Sequence, residues 1–239
     1  MIKLAVSGCK GRMGESITRL ALEDQEFALA ALLEREDHPN IGATAHDLTV
    51  SADNAALEGC DALIEFTSPG ATIANLQACL DHGVKMVIGT TGLTPEQIEK
   101  IKSAAEQIPI VFASNMSVGV NILFKLTQIA AEKTGTSYTI NISEAHHVHK
   151  KDAPSGTAKT LAEIAEKASG TNVENIESIR KDEIIGDHSV VFESGEDIIT
   201  VSHHAKNRDI FAKGALVAAK FLAGKDKGLF NMQDVLGLN

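Results

Sequence analysis

Apolar residues recur along the chain in two rhythms. In the first half, five short and nearly unbroken apolar runs stand at "IKLAVSG" (2–8), "FALAALLE" (27–34), "DALIEFT" (61–67), "VKMVIGTT" (84–91) and "IPIVFAS" (108–114). Between them, residues 12–24, 70–82 and 95–106 return an apolar side chain about every 3.6 positions, the helical period. Runs that do not alternate predict strands buried on both faces. Helices between them supply right-handed crossovers, so this half reads as a Rossmann-type parallel sheet. "ATIANLQACLDHG" closes on Gly83, where a helix C-cap is expected.

After about residue 115 the rhythm changes. A helix over "VGVNILFKLTQIAAEKTG" leads to the alternating strand "YTINISEAHH" and the helix "SGTAKTLAEIAEKASG". "SVVFESGEDIITVSHHA" then predicts an antiparallel hairpin about Ser194 and Gly195. The expectation is a smaller α+β domain with a mixed, largely antiparallel sheet, one face of it free for a helix or another subunit. The stretch "RDIFAKGALVAAKFLAGKDKGLF" carries an Ala-rich apolar stripe suited to return and cover the first sheet. The predicted domains are therefore 1–116, completed by 208–239, and 117–207.

Composition sharpens this picture. Hydrophobic residues make up 44 % of the chain but aromatics only 4 %, so the core must be built from Ala, Ile, Leu and Val, as suits α/β layers. The net charge of -10 argues against general affinity for nucleic acid or anionic membranes, and an anionic ligand must meet a local positive patch. Cys9, Cys60 and Cys79 are odd in number and lack metal-type spacing, which fits a reducing compartment without disulfides. No apolar run approaches the roughly 20 residues of a membrane span, and the start flows directly into a glycine turn. A cytoplasmic protein with no removed segment is expected.

That turn, "AVSGCKGRMGES", places Gly8, Gly11 and Gly14 after a strand and at the start of a helix. The context is that of a dinucleotide fingerprint, where glycines allow a tight turn and close backbone approach to a pyrophosphate. The spacing is G-x-x-G-x-x-G rather than G-x-G-x-x-G. Glu34 ends the second strand where an acid receives the ribose hydroxyls of NAD, whereas Arg35 with Arg12 and Lys10 suits the 2'-phosphate of NADP. Gly89, Thr90 and Thr91, then Ala113, Ser114, Asn115 and Met116, follow buried strands at the carboxyl edge of the sheet, where small residues let a flat ring lie close. "LTPEQ" is a helix start, with Thr94 as N-cap and Pro95 at N1.

The densest chemistry lies in "EAHHVHKKDAPSGTA" (144–158). On an extended chain His147 and His149 share one face while His146, with Glu144, points to the other, so three histidines converge on a metal only through a bulge; no metal site is read. A histidine titrating near neutrality, with Lys150 four residues later, suits proton transfer. Ser155 reads as the N-cap of the helix that begins with Gly156 and Thr157, whose first turn and dipole form an anion site. A carboxylate could dock there while His146 and Lys150 address its reactive atom.

"SGCKGRMGES", "ALLERED", "MVIGTTG", "FASNMSVGVN", "EAHHVHKKDAPSGTA", "IIGDHSVVF" and "GLFNMQDVLGL" occur in the order found in dihydrodipicolinate reductases, which the whole chain resembles. The resemblance implies reduction of a cyclic, unsaturated imine dicarboxylate by NADH or NADPH in lysine and diaminopimelate synthesis. It implies His146 as proton donor or acceptor, Lys150 as proton donor, and His147, Gly156 and Thr157 as substrate contacts. It assigns the dinucleotide to Gly8, Cys9, Lys10, Gly11, Arg12 and Met13, to Glu34, and to the two segments Gly89 to Thr91 and Ala113 to Met116. It further implies a homotetramer joined through the sheet of the substrate domain.

The chain departs from the family at "TNVENIESIRKDEIIGDH", where a longer stretch rich in Arg and Gly is common. It keeps the pattern H-x-A-x-x-R at His204, Ala205 and Arg208. A semialdehyde or amino-acid dehydrogenase shares the glycine turn but not the 144–158 segment. A silent nucleotide sensor is the reading from another class.

Overall fold

A computed structural model describes residues 1–239. The chain forms two compact units, one of residues 1–117 with 211–237 and one of residues 118–210. The first contains β1 (Ile2–Ser7), α1 (Arg12–Glu23), β2 (Phe27–Leu33), β3 (Thr44–Ala45), β4 (Leu48–Ser51), β5 (Ala62–Glu65), α2 (Pro69–His82), β6 (Lys85–Ile88), α3 (Pro95–Ala104) and β7 (Pro109–Phe112). The second contains α4 (Val118–Thr134), β8 (Thr139–His146), α5 (Gly156–Ser169), β9 (Asn175–Arg180), β10 (Asp187–Glu193) and β11 (Ile198–His204). The chain then returns to the first unit with most of α6 (Asp209–Ala223), β12 (Gly228–Phe230) and α7 (Met232–Leu236).

The first sheet runs β12-β7-β6-β5-β1-β2-β4-β3 and is parallel except for the β3–β4 pair. Its strands are buried on both faces, as their unbroken apolar runs predict. In β1, Leu4 and Val6 enter a core with Ile64, Val87, Val111, α1 and α6, while Ala5 enters the opposite core with Leu63, Met86, Ile110, α2 and α3. Local signals set the helix ends. Gly83 closes α2 in the left-handed conformation at φ 66°, and Thr94 and Gln97 form a capping box at the start of α3.

In the second unit the sheet order is β11-β10-β8-β9. β10 runs antiparallel to β11 and β8, and β9 lies parallel to β8, so the sheet is mixed, as expected. One face packs Ile140, Ile142, Val190 and Phe192 against Val120 and Leu123 of α4 and Leu161 and Ala165 of α5. The sequence reading omitted β9, because "NIESIR" is a polar edge strand whose burial alternates weakly. It also omitted the short β3, β4 and β12, each too brief for a periodicity to register.

Candidate active site

Alternation along β8 carries Ile140, Ile142, Glu144 and His146 onto one buried face. The first two serve the core; the last two put a carboxylate and an imidazole where apolar side chains would otherwise stand. Pairing supplies their partners, since Glu144 lies opposite His188 of β10 and His146 opposite Arg180 of β9.

Glu144 has no exposed side-chain surface and is the hub of this cluster. It accepts from Arg180 through two parallel bonds, Nη2 to Oε1 at 2.8 Å and Nη1 to Oε2 at 2.9 Å. The Ser155 N–H donates to Oε1 at 3.2 Å, and His146 Nδ1 lies 2.5 Å from Oε2. Burial alone would raise the Glu144 carboxyl, but the Arg180 guanidinium and the other donors outweigh it and hold it at about 2. An ionised carboxylate only accepts, so Nδ1 is the donor and the exchangeable site of His146 is Nε2.

That nitrogen faces Gly186, where a Cβ would lie 3.2 Å from Nε2. His188 approaches edge to face, with ring centroids 5.1 Å apart, and its Nε2 is 3.3 Å from Ser155 Oγ. For His146, burial lowers the proton affinity, Glu144 raises it, and the positive charges of Lys150 and Arg180 lower it; the balance falls below the ordinary histidine value.

Beyond β8 the chain turns, with the Lys150 N–H donating to the His147 carbonyl at 3.1 Å. Lys150 Nζ is held 2.8 Å from Asp152 Oδ1. Ser155 caps α5 through Oγ, which accepts the Ala158 N–H at 3.2 Å; the side chain is buried, so its hydroxyl holds the turn together. Gly156 and Thr157 form the first turn of α5. His147 and His149 have ring centroids 6.2 Å apart, and no group of three His, Cys, Asp or Glu side chains could hold a metal ion.

In the first unit, the carboxyl edge of the sheet borders a cavity of about 510 Å³ lined by Gly8, Lys10, Gly11, Glu34, Arg35 and His38 among others. Gly8 turns the chain at φ +72°, and a Cβ on Gly14 would lie 2.0 Å from the Gly8 carbonyl oxygen, so the turn tolerates no side chain there. The N-cap of α1 is Gly11, with no side chain closing the helix start. Such a cradle fits a pyrophosphate. Glu34 Oε1 accepts the Lys10 N–H at 2.9 Å, and Oε2 the Arg35 N–H at 3.2 Å.

The remaining dinucleotide candidates fall outside this cavity. Cys9 is buried in the core, where burial first and then the Glu34 charge push its thiol up to about 11. Arg12 is exposed and Met13 packs partly against the core. Thr90 and Met116 are buried, Thr91 and Ser114 are exposed, and Gly89, Ala113 and Asn115 lie between these extremes.

Family models for the N-terminus and the C-terminus of dihydrodipicolinate reductase match residues 2–116 and 119–236. The chain belongs to that family. The 4-hydroxy-tetrahydrodipicolinate reductase of Nitrosomonas eutropha is 43 % identical, over 100 % of this chain and 99 % of its own. That of Geotalea daltonii is 40 % identical over the whole of both chains. Both alignments exceed this chain's 239 residues, so each relative carries segments with no counterpart here. Among solved structures, a dipicolinate-bound dihydrodipicolinate reductase from Paenisporosarcina sp. TG-14 superposes with a TM-score of 0.84, covering 98 % of each chain at 24 % identity. That likeness concerns the fold.

As a member of this reductase family the chain is an oxidoreductase, and its family implies a nicotinamide cofactor. The sequence reading placed His146 and Lys150 in one segment and noted that Glu144 shares the face of His146. It missed Arg180, Gly186 and His188. The signal for the last two was the quoted "IIGDHSVVF"; for Arg180 there was only a basic residue in a strand that polarity concealed.

Proposed function

We propose that this chain reduces 4-hydroxy-tetrahydrodipicolinate to tetrahydrodipicolinate with NADH or NADPH, and that His146, held through Nδ1 by Glu144, delivers the proton. Residues 1–116 with 208–239 serve the dinucleotide, and residues 117–207 serve the substrate and assembly into a homotetramer. Such an enzyme works in the cytoplasm. No helix is long and apolar enough to cross a membrane.

Loss of the 4-hydroxyl as water leaves the unsaturated imine, and the nicotinamide, when bound, would supply a hydride to its electron-poor ring carbon. The resulting enamine needs a proton at the neighbouring carbon. The observation that carries the proposal is the Glu144–His146 contact, which fixes the tautomer and leaves Nε2 as the atom that gives up a proton. Glu144 stabilises the imidazolium before transfer; burial, first, and the charges of Lys150 and Arg180 oppose it and hold the ring's proton affinity below that of an ordinary histidine, so the proton is given up readily. Lys150, oriented by Asp152, is the second cation and proton donor of the segment.

The substrate is a dianion and the chain carries a net charge of -10, so attraction must be local. His147, Gly156, Thr157 and the α5 dipole receive the carboxylates, with Ser155 shaping the turn. Lys10, Gly11, Glu34 and Arg35 hold the adenosine and pyrophosphate side of the cofactor, with Gly8, Cys9, Arg12 and Met13 completing the turn. Gly89 to Thr91 and Ala113 to Met116 border the nicotinamide.

The test is a coupled assay. Aspartate semialdehyde and pyruvate, condensed by the synthase that precedes this step, generate the substrate, and the absorbance of NADH or NADPH is followed. Oxidation that depends on this chain supports the proposal; no oxidation of either cofactor sinks it.

A further inference from the structure

Glu65 ends β5 with none of its surface exposed, in a strand that is otherwise apolar. Its neighbours are hydroxyls. Thr67 Oγ1 and Thr90 Oγ1 lie 2.6 and 2.7 Å from Oε2, and Thr72 Oγ1 lies 2.9 Å from Oε1. Thr90 Oγ1 also accepts the Thr67 N–H at 2.8 Å, and Thr72 Oγ1 lies 3.1 Å from the Ser68 carbonyl oxygen.

Each hydroxyl has one proton to give. Those of Thr67 and Thr90 go to Oε2. Thr72 faces two acceptors, Oε1 and the Ser68 carbonyl, with a single proton for both. The Ser68 carbonyl already accepts the Thr72 N–H at 2.9 Å, so Thr72 can give its proton to Oε1; a proton on Oε1 instead lets Glu65 donate to Thr72 and Thr72 donate to Ser68, with a hydrogen in each contact.

These loops border the dinucleotide cradle. The methyl of Thr67 would meet a Cβ on Gly8 at 3.0 Å, and a Cβ on Gly89 would lie 2.3 Å from the Phe66 ring. Phe66 and Thr67 also line the cavity that holds Glu34 and Arg35. The loop after β5 is thus wedged between the glycine turn and the loop after β6.

We propose that Glu65 is a positioning residue for the dinucleotide, a neutral carboxylic acid that ties the loop after β5 to Thr90 and to the start of α2. Burial supports the neutral form, raising the carboxyl above its ordinary range despite the hydroxyls that favour the anion. An ionised carboxylate here would be a buried charge with no cation against it, its partners being three threonine hydroxyls and the Thr67 N–H. The positioning role rests on the dinucleotide reading above; the protonation state does not.

Three variants of the full chain test it. In Glu65→Gln, the amide oxygen accepts from Thr67 and Thr90 and the NH₂ donates to Thr72, so this variant keeps the NADH affinity that Glu65→Leu loses. Glu65→Leu is expected to raise the KM for the dinucleotide by about tenfold, with kcat at saturating dinucleotide less affected. Thr90→Val, which removes one hydroxyl and covers the case in which Glu65→Leu does not fold, shifts KM in the same direction. Fluorescence titration with NADH gives the affinity without turnover.

Infrared difference spectra of the parent against Glu65→Gln at pH 7 are expected to show the carbonyl stretch of a protonated acid. A carboxylate band in its place overturns the neutral form. Unchanged NADH affinity in both Glu65→Leu and Thr90→Val overturns the positioning role, as does an equal loss in Glu65→Gln and Glu65→Leu. Failure of the parent itself to bind NADH or NADPH would instead refute the dinucleotide reading, and the positioning role with it.

Discussion

His146 Nδ1 lies 2.5 Å from Glu144 Oε2, and the same carboxylate is clasped by both Nη atoms of Arg180. The imidazole therefore feels opposed pulls, and removing either partner moves its proton affinity in a known direction. Glu144→Gln deletes the negative charge and lowers it. With protonated His146 as the proposed acid, the limb on which kcat falls with rising pH moves to lower pH, and kcat at pH 7 drops by about 10²-fold. Arg180→Met moves the limb upward and, by leaving a buried charge half-paired, costs about 3 kcal/mol of stability. A kcat–pH profile for the two variants checks the signs; a limb unmoved in both removes His146 as the titrating acid.

Gly186 leaves open the one nitrogen of His146 that Glu144 does not hold. In Gly186→Ala the new methyl stands 3.2 Å from Nε2 and competes with substrate for that edge. The expected result is a fall in kcat of about tenfold with Tm nearly unchanged. A variant of full activity would place proton transfer elsewhere.

His188 makes the second unit sensitive to acid. Burial first, and then the nearby His146, hold its imidazole down at about 4, against an ordinary value of about 6.5. The folded chain binds this proton more weakly than the unfolded chain. The stabilisation is therefore fully present above pH 6.5 and is lost as pH falls toward 4, by up to about 3 kcal/mol. Tm measured across that window should fall in the parent and stay flatter in His188→Gln. Parallel curves would mean the ring is charged or solvated in the folded chain.

Glu34 stands between Lys10 and Arg35 and accepts a backbone N–H from each. Glu34→Ala removes the proposed ribose acceptor while leaving both cations, so the KM for NADH should rise about tenfold and that for NADPH less. Arg35→Ala should reverse the order. Equal losses for the two cofactors in Glu34→Ala would reduce Glu34 to a support for the glycine turn.

The parallel sheet was legible because doubly buried strands leave unbroken apolar runs, as in β5 and β6. β9 was not, since an edge strand can be polar and still pair. Parity along β8 was enough to set Glu144 and His146 on one face. It does not reveal Arg180, which arrives from 36 positions away through sheet pairing. Glu65 was hidden by its company: an acid at the end of "DALIE" looks like the last residue of a strand, and its three threonines are spread over residues 67 to 90. A carboxylate inside an apolar run is itself the signal, and counting its hydroxyl neighbours requires coordinates.

Apart from Leu238 the second unit is a single stretch of sequence, whereas the first takes most of α6 and its edge strand β12 from the far end of the chain. During synthesis the face formed by Leu4, Val6, Ile64 and Val87 must wait for Ala212, Ala215 and Leu222 to leave the ribosome. A nascent chain stalled after residue 210 has cleared the exit tunnel should hold a protease-resistant second unit tethered to a first unit that is still cleavable. The order of protection would then run opposite to the order of translation.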